Sequence, residues 1–457
     1  MNSHATQNTH GASHRRNWIG LLLAAAVTLP WLYLALLGPH DSAGHLALAP
    51  LTISLWSGLA ILGAAFLLSW AAEVAQLDMA QALALVILSL IAILPEYSVD
   101  MAFAIQAGKG LAASQNPAMR DLPATKELLE NAHYAVANMT GANRILIGIA
   151  WSAVVFIHCW RKKVKQVEIE PSRAIEIKYL LMATLYSFTL PLKSYLFGIG
   201  IHPIDALVLV SLFGFYARAA SQTEHVEPEL VGPPAAMAEL PQMQRRALCL
   251  ALFVFSAWTI YLAAHPFAEG LVEVGSSYKI NEFLLVQWIA PLASEMPEFI
   301  VAGLFAWRGF PAMGMGTLIS SKVNQWTLLV GLLPIVYSLA ARQFASMPLD
   351  DQQLTEVLLT SAQSLFAVAI LMNFNITLWE AAGLLGLFLA QFATQMGIAL
   401  THPETSAALA RQAQTLTQTS QLAFSTLYVA LALFIIFSSR EKRESLRTMF
   451  SRAPQTA

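Results

Sequence analysis

The sequence predicts an all-α polytopic membrane protein of about twelve transmembrane helices, built as two inverted five-helix repeats with one extra helix at each end. The first observation is composition. The 457 residues are 56% hydrophobic and 12% charged, with a mean hydropathy of +0.57, which is too apolar for an ordinary soluble domain. The second is a series of long apolar runs, and the third is a Pro-Glu pair inside one apolar run of each half.

Twelve apolar segments are long enough to cross a bilayer as helices. They lie at 18–37, 49–73, 79–107, 132–160, 175–197, 202–220, 247–266, 281–307, 311–341, 354–373, 376–399 and 418–438. A cleaved signal peptide is the alternative interpretation of the first segment, because Arg15 and Arg16 precede it. No convincing small-x-small cleavage site follows, so the sequence favours an uncleaved span.

Hydrophilic stretches and the linker SQTEHVEPELVGPPAAMAELPQMQRR divide the chain. The predicted parts are a disordered N-terminal tail (1–17), an extra N-terminal transmembrane helix (18–45), a first repeat (46–220), a cytoplasmic linker (221–246), a second repeat (247–400), and an extra C-terminal transmembrane helix with a basic tail (401–457). Loop Lys and Arg residues concentrate on one side if both termini are cytoplasmic. We therefore expect an integral protein of the bacterial inner membrane with both termini in the cytoplasm.

A Pro-Glu pair occurs in one apolar segment of each half, and the two segments run in opposite directions in the predicted topology. Leu94-Pro95-Glu96 is the first copy, and WIAPLASEMPEF, with Glu295 and Glu298, contains the second. Carboxylates at bilayer depth are unfavourable enough to be functional candidates by default. Pro297 directly precedes Glu298, and a proline removes a helical N–H donor. This suits a broken helix that lines a polar cavity.

The two Pro-Glu helices are each followed by a helix of the pattern small-Asn/Thr-x-x-Gly/Ser-small/Ser, seen in YAVANMTGANRILIG and MGTLISSKVNQWTLLVG. Together they resemble the inverted α-repeats of the sodium/calcium exchanger and cation/proton antiporter superfamily, of which the chain would be a divergent member. The resemblance covers about ten spans in topology and four helices in residue detail. It implies a secondary active antiporter, and not an enzyme, that exchanges Ca²⁺ or Na⁺ for Na⁺ or H⁺ by alternating access.

The resemblance also implies a set of cation-binding residues. Glu96 and Glu298 fall on the family's central metal-binding glutamates, and the other matching positions are Asn138, Thr317, Ser321 and Gln325. Hard cations such as Ca²⁺ need oxygen ligands of these kinds. Thr317, Ser321 and Gln325 recur every four residues and would share one helical face. Small hydroxyl residues also allow close helix packing, which is the alternative role for the Thr317 and Ser321 pair.

Several residues depart from the family pattern or lie beside it. Ala92 and Ile93 replace Thr and Ser, Glu295 takes a Ser position, and Lys322 stands where Asn is common. The accessory or charge-pairing candidates are Asp100, Ser294, Glu295, Asn143, Arg144 and Lys322. Arg144 and Lys322 either pair with Glu96, Asp100, Glu295 or Glu298, or point into water away from the ions. Pairing would favour monovalent cation/proton exchange over Ca²⁺ exchange.

A second functional hypothesis is a non-transporting membrane sensor or assembly component that keeps the exchanger fold. The loss of expected ligand residues from the first repeat supports this hypothesis, whereas the retained pair of Glu96 and Glu298 opposes it. The expected partners are inorganic cations and the lipid bilayer, and the sequence specifies no protein partner. No basic tract indicates nucleic-acid binding. The chain needs no cofactor beyond the transported Na⁺, Ca²⁺ or H⁺, and it lacks the H-E-x-x-H and G-x-S-x-G motifs of hydrolases.

Overall fold

The computed structural model describes residues 3–39, 46–78, 94–222, 230–278, 281–402 and 407–451, and these are almost entirely helical. The first half contains α1 (Ser3–Leu37), α2 (Pro50–Ala75), α3 (Leu94–Ser114), α4 (Pro123–Ile145), α5 (Ser152–Lys162), α6 (Ala174–Ser187), α7 (Thr189–Phe197) and α8 (Pro203–Ala220). The second half contains α9 (Pro233–Ala238), α10 (Gln242–Tyr278), α11 (Glu282–Arg308), α12 (Pro311–Asn324), α13 (Val330–Ala341), α14 (Asp351–Leu371), α15 (Leu378–Thr401), α16 (Ala407–Ser438) and α17 (Arg440–Ser451).

Two π-helical turns join helices into longer continuous spans. Leu146–Trp151 connects α4 to α5, and Gln325–Leu329 connects α12 to α13. Both turns follow the polar part of the helix that comes after a Pro-Glu helix. π turns of this kind recur at functional sites because they widen the helix locally.

Ten helices of the described ranges are long and apolar enough to cross a membrane, and each coincides with a predicted span. The two other predicted spans are 79–107 and 175–197. The first begins with residues 79–93, which lie outside the described residues, and the second is divided between α6 and α7. The all-helical polytopic fold is therefore confirmed.

The two halves pack together with corresponding helices in opposite directions. In α2 and α10, Gly58 lies against Phe267, whereas Ser54 lies against Gly270. Asp78, just after α2, accepts hydrogen bonds from Arg245 near the start of α10. Residue numbers thus rise along one helix as they fall along the other. This antiparallel pairing is the arrangement that inverted repeats produce.

Helices α6 and α14 form a second antiparallel pair, which is joined by hydroxyl groups. The Thr184 and Ser364 hydroxyls lie 2.8 Å apart, and the Ser187 hydroxyl donates to that of Ser361 at 2.7 Å. Hydroxyl pairs of this type stabilise helix contacts within a bilayer, where apolar surface gives little driving force.

Short backbone pairings close both ends of this α6/α14 contact. At one end β1 (Gln166–Glu168) pairs antiparallel with β2 (Asn375–Thr377). At the other end Ile201 pairs with Met347. The predicted topology places β1 and β2 on the cytoplasmic side and Ile201 and Met347 on the outer side, so each pairing joins loops of the same predicted side.

Helix α11 differs from the prediction of a broken helix. It is continuous across Pro291 and Pro297, so the predicted break is wrong. The prolines still remove two backbone donors, and the carbonyl groups four residues earlier, those of Gln287 and Ala293, therefore lack their usual helical partner. Contacts from neighbouring helices allow the helix to continue across both prolines, and these carbonyls become available.

Three segments outside the predicted spans contain helix. The segment predicted as a disordered tail is helical from Ser3 onward, because the chain continues without a proline into the first span. The predicted linker contains α9 and the start of α10, while its residues 223–229 lie outside the described part. In the C-terminal part, α16 begins before the predicted span and α17 follows it.

Asp350 provides the N-cap of α14, on the predicted outer side. Its side chain accepts a hydrogen bond from the Gln353 backbone at 2.7 Å, and the Gln353 side chain accepts one from the Asp350 backbone at 2.9 Å. Partial burial opposes ionisation, but the hydrogen bond from His133 and those from backbone amides outweigh it, so the pKa of Asp350 lies below its ordinary value. This stabilisation is present above the unfolded-state pKa and is lost as the pH falls through the folded-state pKa.

We expect Asp350→Ala to destabilise the protein by about 1 kcal/mol at neutral pH, because the cap of α14 is lost. Thermal unfolding in detergent measures the difference. Asp351→Ala is the matched control, since Asp351 is exposed and its side chain does not cap the helix. Equal destabilisation by the two substitutions would show that the cap contributes nothing specific.

Candidate cation-binding site

A polar cluster lies inside the bundle where α3, α11 and the π turn after α12 meet. Glu96 on α3 is 2% exposed, and Glu295 on α11 and Gln325 are 0% exposed. The Gln325 amide nitrogen donates to both carboxylate oxygens of Glu96, at 3.2 and 3.3 Å, and also to Oε1 of Glu295. One amide group therefore bridges carboxyl groups from the first and second halves of the chain.

The carboxyl groups of Glu96 and Glu295 also lie within hydrogen-bonding reach of each other. An ionised carboxylate can only accept hydrogen bonds, so without a cation between the two groups this contact needs a proton on one of them. Repulsion between like charges in a buried site favours sharing of that proton. The geometry is that of a carboxyl–carboxylate pair that can release one proton.

A third carboxyl group lies one helical turn along α11. Glu298 is half-buried, accepts a hydrogen bond from the Ser321 hydroxyl on α12, and interacts electrostatically with Glu96. Ser321 lies four residues before Gln325, so both side chains project from the same helical face. Three carboxyl groups, one amide and one hydroxyl thus form a single polar cluster.

Several oxygen atoms of this cluster have no hydrogen-bond donor among the described residues. They are Oε2 of Glu295, Oε2 of Glu298 and Oε1 of Gln325, all buried. A buried oxygen without a partner is unfavourable. Carboxylate and amide oxygens are also the ligands that Ca²⁺ prefers, so these atoms can serve a desolvated cation.

Lys322 places a positive charge beside the carboxyl groups. It is 0% exposed, and its ammonium group donates to the backbone oxygen of Asn143 at 2.9 Å and to the side-chain oxygen of the same residue. It also interacts electrostatically with Glu295 and Glu96. Lys322 therefore faces the site without a direct hydrogen bond to a site carboxylate among the described residues.

Arg144 occupies a separate buried ion pair. Its guanidinium lies 2.6 Å from Oε2 of Glu356 on α14, and both side chains are almost completely buried. The other carboxylate oxygen of Glu356 accepts hydrogen bonds from Gln395 and Gln421. The expected pairing of Arg144 with Glu96, Asp100, Glu295 or Glu298 is wrong, and so is the alternative that Arg144 reaches water.

Asp100 lies one turn after Glu96 on α3, about 6 Å along the axis of that helix. There it contacts Asn138 of α4. Asn138 donates to Oδ1 of Asp100 at 2.8 Å. Both side chains are buried, and Oδ2 of Asp100 and Oδ1 of Asn138 have no partner among the described residues. The structure thus brings Asn138 to Asp100 rather than to the glutamate cluster.

Two predicted hydroxyl residues make only local contacts. Thr317 is exposed, and its hydroxyl donates to the Met313 carbonyl at 3.1 Å. Ser294 is buried and donates to the Pro291 carbonyl at 3.3 Å. Neither is joined to Glu96 or Glu298 by a hydrogen bond in the described structure.

A glycine allows the helices beside the cluster to approach closely. A Cβ atom at Gly141 on α4 would lie 1.8 Å from the Gln287 carbonyl oxygen on α11. This carbonyl is the one that Pro291 deprives of its helical donor. Only glycine permits so close a contact, which holds α4, with Asn138 and Asn143, against the glutamate helix.

The family described as "Sodium/calcium exchanger protein" matches residues 49–221 and 248–397. The chain belongs to the sodium/calcium exchanger family. The exchanger is therefore an integral membrane protein with the family's inverted repeats.

Solved structures agree with this membership. A structure titled "Crystal Structure of H+/Ca2+ Exchanger CAX" is similar to 95% of the exchanger chain, with 42% identity and a TM-score of 0.79, and 98% of that chain is covered. A second, "Structure of native YfkE", shares the fold over 81% of this chain and 97% of its own, with 13% identity and a TM-score of 0.55. No curated protein gives a significant match.

In the exchanger, Glu356 is not among the residues predicted from the sequence, and Glu295 is predicted only as an accessory or charge-pairing residue. Glu356 stands near the start of the predicted span 354–373, where an acid also fits a helix end, so no local pattern indicates a buried ion pair. Its partners Gln395 and Gln421 are polar residues within long helices, and these could have been noted. The departures at Ala92 and Ile93 lie outside the described residues.

Proposed function

We propose that this secondary active cation antiporter exchanges Ca²⁺ for protons. Glu96, Glu295 and Glu298 bind the Ca²⁺ ion and the protons alternately. The observation that carries the proposal is the buried contact between the Glu96 and Glu295 carboxyl groups, which Gln325 bridges. A group that holds a proton in the ion-free state and can bind a metal ion once deprotonated couples the two ions directly. The 42% identity with a H⁺/Ca²⁺ exchanger over nearly the whole chain supports this pair of ions.

Charge balance also supports exchange of one Ca²⁺ for two protons. Three ionised carboxylates together with the Lys322 ammonium carry two negative charges. One Ca²⁺ neutralises them, and two protons do so equally well. The site is then neutral in both states, which avoids the large free energy of burying net charge in a bilayer.

Lys322 does not oppose Ca²⁺ binding in this arrangement. Only a direct pair between Lys322 and a site glutamate would favour a monovalent ion over Ca²⁺. In the structure its two hydrogen bonds go to Asn143, which leaves oxygens of Glu295, Glu298 and Gln325 free for the ion. Ser321 completes the proposed ligand set, while Thr317 and Asn138 become candidates for the path to the site.

The proposed orientation places both termini in the cytoplasm, in the inner membrane of a bacterium. The concentration of Lys and Arg residues in the loops of one side supports it. The proposed repeats are 46–220 and 247–400, and the family match over 49–221 and 248–397 supports these limits. Alternating access would then expose the glutamate cluster to each side in turn.

Proteoliposomes that contain a pH-sensitive dye test the proposal. We expect added Ca²⁺, but not Na⁺ or K⁺, to drive proton movement, and we expect Glu96→Gln and Glu298→Gln each to abolish it. Glu282→Gln is the matched control, because Glu282 lies on α11 but contacts Ser276 at the helix end. Ca²⁺ flux that needs Na⁺ and no proton movement would contradict the proposal. No flux in folded protein would favour the non-transporting hypothesis.

A further inference from the structure

The environment of the Lys322 ammonium group resembles that of a bound metal cation. The group is fully buried, and its hydrogen bonds go to the backbone and side-chain oxygens of one residue, Asn143. Backbone carbonyl and amide oxygens are the neutral ligands that bind desolvated Na⁺ and K⁺ in membrane proteins. The Trp326 ring centroid lies 5.2 Å from the Lys322 nitrogen, and this cation–π contact also favours a positive charge there.

The electrostatic surroundings are those of a monovalent cation as well. Glu295 and Glu96 both interact with the Lys322 charge from the neighbouring helices. Arg144 of the opposite repeat also acts on Lys322 electrostatically, but Arg144 is paired with Glu356. One unit of positive charge at this position therefore balances one carboxylate of the three-carboxylate site.

We propose that the Lys322 ammonium group occupies a monovalent-cation site between the repeats and serves there as a tethered cation. This inference rests on the proposed Ca²⁺/H⁺ exchange. Because the chain supplies its own cation, exchange requires neither Na⁺ nor K⁺. Removal of the side chain leaves the two Asn143 oxygens and the glutamates without that charge, and a free alkali cation such as Na⁺ can then bind in its place.

Lys322→Ala is the first variant, since it removes the ammonium group and opens space beside Asn143. With N-methylglucamine as the sole monovalent cation, we expect its Ca²⁺/H⁺ exchange to be at least about tenfold below that of the natural protein, because one charge of the site is lost. Na⁺ should restore most of the rate. The natural protein should be unaffected by Na⁺.

Lys322→Met is the matched control, because methionine has a similar unbranched stem, carries no charge and leaves little room for an ion. Its exchange should be low and insensitive to Na⁺. If Lys322→Ala does not yield folded protein, Lys322→Ser tests the same site, since it also removes the charge and leaves space. Rescue of the methionine variant by Na⁺ would contradict a site between Asn143 and the glutamates.

A binding measurement separates this inference from the proposed function. Na⁺ should raise the unfolding temperature of detergent-solubilised Lys322→Ala, but not that of the natural protein or of Lys322→Met. If the natural protein shows no Ca²⁺/H⁺ exchange, the proposed function fails while this shift still reports on the cation site. Folded Lys322→Ala that shows neither the shift nor rescue by Na⁺, Li⁺ or K⁺ would overturn the inference.

Discussion

Glu295→Gln is expected to abolish Ca²⁺/H⁺ exchange as completely as substitution of either Pro-Glu glutamate. Glutamine keeps the length of the side chain and can still face the Gln325 amide, but it can neither share a proton with Glu96 nor contribute a negative charge. Removal of one of three ionised ligands should weaken Ca²⁺ binding by at least about 100-fold. Calcium titration of the purified protein, together with transport in proteoliposomes, measures both effects.

The pH dependence of Ca²⁺ affinity gives Glu295 a more specific signature. If two protons leave the site for each Ca²⁺ bound, the apparent dissociation constant should rise by about 100-fold for each unit of pH decrease where both groups are protonated. In Glu295→Gln the increase should be closer to about tenfold, because one proton site is gone. Glu282→Gln should keep the slope of the natural protein. An unchanged slope in Glu295→Gln would limit Glu295 to a structural role beside Lys322.

The sequence predicted the architecture and identified Glu96 and Glu298 as candidate ligands, because both inferences depend on patterns that are local in the chain. Apolar runs indicate the spans directly, and a Pro-Glu pair in each half marks corresponding positions of two repeats. The distribution of Lys and Arg residues among the loops then predicts that the two Pro-Glu helices run in opposite directions. The antiparallel contacts of α2 with α10 and of α6 with α14 agree with that inverted arrangement.

The contacts inside the cluster could not be predicted, because they depend on the rotation and depth of helices far apart in sequence. Glu295 and Glu298 are only three residues apart, yet only Glu295 receives the Gln325 amide. Thr317 shares a four-residue spacing with Ser321, but it lies nearer the start of α12 and is exposed. The spacing shows that these residues share a helical face, but it does not show how much of that face is buried.

Glu356→Gln is expected to destabilise the protein by about 3–5 kcal/mol, because it leaves the Arg144 guanidinium buried without a counter-charge. The Trp288 ring, 4.9 Å from the guanidinium carbon, can compensate only part of that loss. Unfolding of detergent-solubilised protein by heat or by increasing SDS measures the effect. Glu444→Gln is the surface control, since Glu444 pairs with the exposed Arg440 and its loss should have no measurable effect.

The double variant Arg144→Gln with Glu356→Gln distinguishes charge from shape. Removal of both charges leaves no uncompensated ion, so the double variant should recover most of the stability lost in Glu356→Gln. A double variant as unstable as the single one would place the stabilisation in the hydrogen bonds from Gln395 and Gln421 instead. Arg144 directly follows Asn143, the partner of Lys322. Restored stability with impaired Ca²⁺/H⁺ exchange would therefore show that the ion pair also positions Asn143 beside the cation site.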